Sequence, residues 1–164
     1  MPHTFHIHRE SLKRRYAVYV VVAKSDKHIE LYVGKVGDNR EGCNPLISRC
    51  GNHFSYNEIH SQIRNKIVGH EARDYTYVFE HFDQYSENPD ERRASIDRIN
   101  EMERWLNQKI QSLAARNTGV TLVNPYKGTG YIRKQERMKR AGFRTKESEI
   151  KIDATVSAVL AVCS

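Results

Sequence analysis

"YAVYVVVAKSDKHIELYVGKV", residues 16–36, decides the fold. Its two halves, YAVYVVVAK (16–24) and HIELYVGKV (28–36), are dense in β-branched and aromatic residues, and the polar SDK between them breaks the apolar run. Two such runs joined by a short polar connection predict a β-hairpin, with Tyr19 and Tyr32 on paired strands. The glycines around Lys35 in LYVGKVG (31–37) also raise a phosphate-cradling loop. That loop needs GxxxxGK[ST] where a strand meets a helix, and YVGKVGDN has neither the glycine spacing nor a Ser or Thr after its lysine.

Outward from the hairpin, DNREGCNP (38–45) reads as loop from its Gly, Asn and Pro. Leu46, Ile47, Phe54, Ile59, Ile63 and Ile67 then suggest helix, with an interruption expected near Gly51 and Asn52. YTYVFEHF (75–82) alternates as a third strand does, and SENPDERRAS supplies a break followed by acids suited to a helix N-terminus. Ile99, Met102, Leu106, Ile110 and Leu113 recur at three and four and mark one buried helix face, with Gly119 beyond its end. VTLVNP reads as a short strand running into a turn. The expected fold class is α/β (α+β): a three-stranded, mainly antiparallel sheet flanked by helices, in one domain over 1–164 with a basic C-terminal extension from about 127.

The chain's 164 residues suffice for a single buried core. Lys and Arg number 27 against 20 Asp and Glu, giving +7 and a pI near 9.4, so nucleic acid is the first candidate partner. Cys43, Cys50 and Cys163 are odd in number and show no CxxC spacing, which points to free thiols in a reducing compartment. The longest apolar stretch, ATVSAVLAVCS (154–164), falls short of the ~20 residues of a membrane span, and the N-terminus shows no apolar signal core. A cytoplasmic protein with no membrane partner is expected. His3, His6 and His8 alternate in a way a metal could use but are more simply solvated, and His60, His70 and His81 have no ligand spacing.

The triplets AVY (17–19) and YVG (32–34) lie on the two hairpin strands, thirteen residues apart from tyrosine to tyrosine. In this the sequence resembles the GIY-YIG nuclease superfamily, whose domain opens with a hairpin bearing those triplets. Ala17 stands where the family has its first glycine. Lys35 follows the second triplet, RCGNH supplies Arg49 and His53 at the RxxxH spacing of many members, and a third strand, a helix with a glutamate, and Asn124 before proline come in order. The resemblance covers roughly residues 16–126. It implies a Mg²⁺-dependent (or Mn²⁺-dependent) endonuclease of double-stranded DNA, of restriction type for so compact a chain. A homing, phage or repair nuclease, or a non-catalytic nucleic-acid-binding protein on the same scaffold, stays open, as does a homodimer.

Phosphodiester hydrolysis needs an activated water, relief of charge on the phosphorane and stabilisation of the leaving 3′ oxygen. The family's residues divide among these needs. Tyr19 would act as general base with its phenolate favoured by Lys35 or by a metal-bound network, and Tyr32 would position water or phosphate. Arg49 offers a planar fork to phosphate oxygens, and His53, one helical turn later, could shuttle a proton. A glutamate should hold Mg²⁺. Glu103, four after Ile99 and three before Leu106, is expected to point to the sheet and Glu101 nearer solvent, which favours Glu103. Asn124 completes the catalytic set. KGTGYIRKQERMKRAGFRTK (127–146) holds eight basic residues and one acidic one. Lys127, Arg133, Lys134, Arg137, Lys139, Arg140 and Arg144 are its expected DNA contacts.

Overall fold

The computed structural model describes residues 1–37 and 42–164. Asp38, Asn39, Arg40 and Glu41, which open the expected 38–45 loop, lie outside the described residues. The hairpin forms as β1 (Arg15–Lys24) and β2 (Ile29–Val36), antiparallel, with Ser25 and His28 closing the turn through Ser25 N–H to the His28 carbonyl at 3.0 Å. Its register sets Tyr19 opposite Gly34 and Val21 opposite Tyr32. β3 (Asp74–Gln84) pairs antiparallel on the other side of β1. β1 is therefore central, and its run from Tyr16 to Ala23 is apolar without alternation because helices cover both faces.

The sheet has four strands rather than three, in the order β3-β1-β2-β4. The short strand expected in VTLVNP is real: as β4 (Val120–Leu122) it pairs with Ile29–Leu31 of β2, and in parallel, so the sheet is mixed. Three residues in parallel pairing are weak alone, and Asn124 reinforces them. Its side-chain oxygen accepts from Val33 N–H at 3.0 Å and its amide donates to the Val33 carbonyl at 2.7 Å, imitating one further ladder residue.

The helices form two layers. α1 (Leu46–Phe54) and α2 (Gln62–Lys66) cover the face bearing Tyr19, Tyr32 and Tyr77. α1 runs unbroken through Gly51 and Asn52, contrary to the expected interruption there. Both residues face solvent, so neither has to pack, and the chain leaves the helix only at Ser55. α3 (Pro89–Arg116) crosses the opposite face. Asn88 caps it by accepting from Asp90 N–H and Glu91 N–H, Pro89 opens it, and Ile99, Met102, Leu106, Ile110 and Leu113 are buried as their spacing requires.

After α4 (Lys134–Gly142), α5 (Lys146–Cys163) packs beside α3 against β3 and β1, burying Ile152 and Val159 completely. The second half of the segment from 127 is thus α5, whose Ile152 and Val159 reach the core. Lys24 Nζ ties the end of α5 to the hairpin by donating to the Val162 and Ser164 carbonyls. No helix of the described residues is long and apolar enough to cross a membrane.

Asn107, buried on α3, fastens the chain after β4 by donating to the Asn124 carbonyl at 3.0 Å and accepting from Tyr126 N–H at 2.8 Å. Asn107→Leu strands both backbone groups. It should lower unfolding stability by about 1–3 kcal/mol, read as a lower urea midpoint at unchanged slope.

Candidate functional site

The register Tyr19↔Gly34 explains the second triplet's glycine. A Cβ at Gly34 would stand 2.4 Å from the Tyr19 ring carbon that bears the hydroxyl, so the glycine is the floor on which the phenol lies. With the ring so placed, Tyr19 Oη sits 3.0 Å from His53 Nε2, and both side chains are buried. The Tyr32 ring stacks beside Tyr19 with centroids 6.5 Å apart and meets the His53 ring edge-on at 5.5 Å. Tyr19, Tyr32 and His53, far apart in the chain, thus share one site.

Tyr77 on β3 belongs to the same cluster, although its sequence position showed only a strand residue. Its hydroxyl is 2.6 Å from His53 Nδ1. A neutral imidazole has one N–H and one lone-pair nitrogen, so of the two phenols at its ring nitrogens one accepts and the other donates. Burial, and secondarily the Arg49 guanidinium, pull the His53 pKa down to about 4, so the ring is neutral near pH 7. Burial raises the Tyr77 phenol pKa far above its ordinary value, which keeps it a hydroxyl.

Arg49 and His53 lie one turn apart on α1, as the RxxxH spacing requires, and the Arg49 charge reaches both His53 and Tyr32. Lys35 is placed differently from the expectation that it flanks Tyr19. It pairs with Val18, one residue out of phase with Gly34, and so leaves β2 on the α3 face, where Nζ lies 3.5 Å from Glu103 Oε1. Glu103 thus points to the sheet, as helix geometry suggested. Glu101 does not turn to solvent: it is buried and accepts from Arg104 Nε at 2.8 Å and Arg144 Nε at 2.9 Å.

The two halves of the site meet around the outer edge of β2, which β4 pairs only as far as Leu31. Tyr32 feels both halves: burial and then Glu103 raise its phenol pKa, and Arg49 opposes them. Asn124 lies beside this edge with both polar groups on Val33, so it holds the strand that carries Tyr32 and Gly34. Among the described residues no three His, Cys, Asp or Glu side chains converge as a metal cage. Glu103, with its side chain 28% exposed, is the one carboxylate of the set.

The basic segment divides in two. Lys127, Arg133, Lys134 and Arg137 are exposed, and none has an ion pair among the described residues. Lys139 pairs with Asp97 at 2.6 Å and Arg144 with Glu101, so these two are committed first to docking α4 and its flank, while Arg140 pairs with Glu136 at 3.0 Å within α4 itself.

A histidine whose folded pKa is about 4 against about 6.5 unfolded binds fewer protons when folded, so it contributes stability that falls as pH drops from 6.5 to 4. Urea unfolding across that range should show this loss, and the stability advantage of wild type over His53→Gln should shrink as pH falls from 6.5 to 4. An equal gap at every pH would mean that His53 is charged in the fold. Comparison with protein-family models, curated proteins and solved structures finds no match to the chain.

Proposed function

We propose that the protein is a Mg²⁺-dependent (or Mn²⁺-dependent) endonuclease of double-stranded DNA, similar in its site to the GIY-YIG nucleases and of restriction type. The observation that carries the reading is the Tyr19 hydroxyl held 3.0 Å from a neutral His53, beside Tyr32 and Arg49, with Glu103 across the same strand edge. In the tautomer with its lone pair on Nε2, His53 receives the Tyr19 proton as Tyr19 takes that of the attacking water. A phosphate diester drawn to Arg49 offsets the charge that, after burial, lowers the basicity of His53. Tyr32 orients water or phosphate at the open edge, and Lys35 holds the Glu103 carboxylate.

The donor set fits Mg²⁺, which is commonly held by one or two carboxylates with water and substrate phosphates completing its shell. Glu103 would hold it, and when bound the ion would relieve charge on the phosphorane and the leaving 3′ oxygen. Asn124 positions β2 and makes no contact with substrate in this reading. DNA is held by the exposed Lys127, Arg133, Lys134 and Arg137. Sequence recognition would come from the loops or from a second copy.

Incubation with plasmid DNA and Mg²⁺ tests the reading. Tyr19→Phe should lose about 10²–10⁴-fold in cleavage rate, and Glu103→Gln should abolish cleavage while DNA binding persists. A Tyr19→Phe enzyme cutting at the wild-type rate would sink the assignment. Replacing Lys127, Arg133 and Lys134 with Gln should flatten the log–log salt dependence of duplex binding by about 3 units, equally on every sequence. An unchanged slope would make them an ordinary solvated surface.

A further inference from the structure

A cavity of about 300 Å³ opens between α3 and the chain around α4, lined by Arg104, Arg137, Arg140 and Arg144 together with Tyr126 and Gln108. Four guanidiniums gathered in one concavity repel one another, and the carboxylates paired with them among the described residues balance only half of that charge. Glu101, which also lines the cavity, holds Arg104 and Arg144, and Glu136 holds Arg140. Arg137 has no ion pair among the described residues.

The geometry of those pairs leaves donors to spare. Arg104, Arg140 and Arg144 each meet their carboxylate through Nε at 2.8, 3.0 and 2.9 Å, the side of the guanidinium away from its two terminal nitrogens' outer edge. One terminal nitrogen of Arg144 goes to Gln108 Oε1 at 3.1 Å. Docking α4 onto α3 explains Arg104 and Arg144. It does not explain why Arg137 and Arg140 turn into the same space. A concave site with two uncompensated positive charges and planar forks is built for a tetrahedral oxyanion. Its volume, at the lower end for ligand sites, suits a phosphate group with little attached.

We infer that this cavity is a phosphate-binding site, filled either by a phosphate of a DNA strand or by the phosphomonoester of a nucleotide. It stands on the cavity alone and does not require the nuclease reading. Trp105, the chain's single tryptophan, reports on it directly, because the Arg144 guanidinium lies 5.1 Å from its ring centroid. Sodium phosphate titrated into the full chain should give a saturable change in Trp105 emission that sodium chloride at matched ionic strength does not. Arg137→Gln, an exposed substitution, should raise the phosphate midpoint about tenfold. If a duplex without terminal phosphates reproduces the response and phosphate competes with it, the occupant is strand backbone. If only deoxyadenosine 5′-monophosphate does so, the occupant is a terminal phosphomonoester. A phosphate response no different from chloride, or a midpoint unmoved in Arg137→Gln, overturns the site. Neither measurement involves Mg²⁺ or cleavage, so failure of the nuclease reading would leave this result standing.

Discussion

The contact of Tyr19 with His53 is the interaction on which the rest of the site depends. For the phenol to reach Nε2, its ring must lie flat across β2, and only a residue without a side chain permits that at position 34. The same contact fixes α1 to the sheet, because His53 is the buried residue of its last turn. Tyr77 then closes the arrangement from β3 by engaging the other ring nitrogen. A buried imidazole with both nitrogens bonded and its charge suppressed is a rigid joint, costly to open because any opened position leaves a polar group unsatisfied.

A second constraint is the unfinished edge of β2. β4 stops after three residues and Asn124 extends its pairing by one more, which leaves the strand beyond Val33 bordered by side chains instead of backbone. Residues from both faces of the sheet can meet only around such an edge. It lets Glu103, on the helix of one face, act on Tyr32, which belongs to the other. A longer β4 would have separated the carboxylate from the tyrosines by a complete wall of sheet.

The hairpin, the third strand and α3 were legible in the sequence because each is declared locally: by β-branched density, by alternation, by a three-and-four repeat behind Asn88 and Pro89. What the sequence concealed was decided at long range. Tyr77 looked like any strand tyrosine, since nothing local tells which face of β3 meets a histidine 24 residues earlier. Lys35 appeared beside Tyr19 because the triplets suggest proximity, whereas the register puts it one residue out of phase. Gly51 and Asn52 were read as a break, yet a helix tolerates about 1 kcal/mol of poor propensity where its other face is pinned by Leu46 and His53. Glu101 read as a surface acid because one of its partners, Arg144, lies 43 residues further on.

Glu101 also bears on how the chain directs its positive charge. A carboxylate this deeply buried is best served with both guanidiniums in place, since removing either would leave one of its oxygens without a charged partner. The pair with Arg144 therefore pins the end of α4 to α3, and Lys139 with Asp97 adds a second, more exposed tether. Once α4 is held at these points its remaining cations have no choice of direction. Arg133 and Lys134, at its start, stay exposed while Arg137 lines the cavity beside α3, and the excess of basic residues becomes an oriented surface instead of a diffuse cloud.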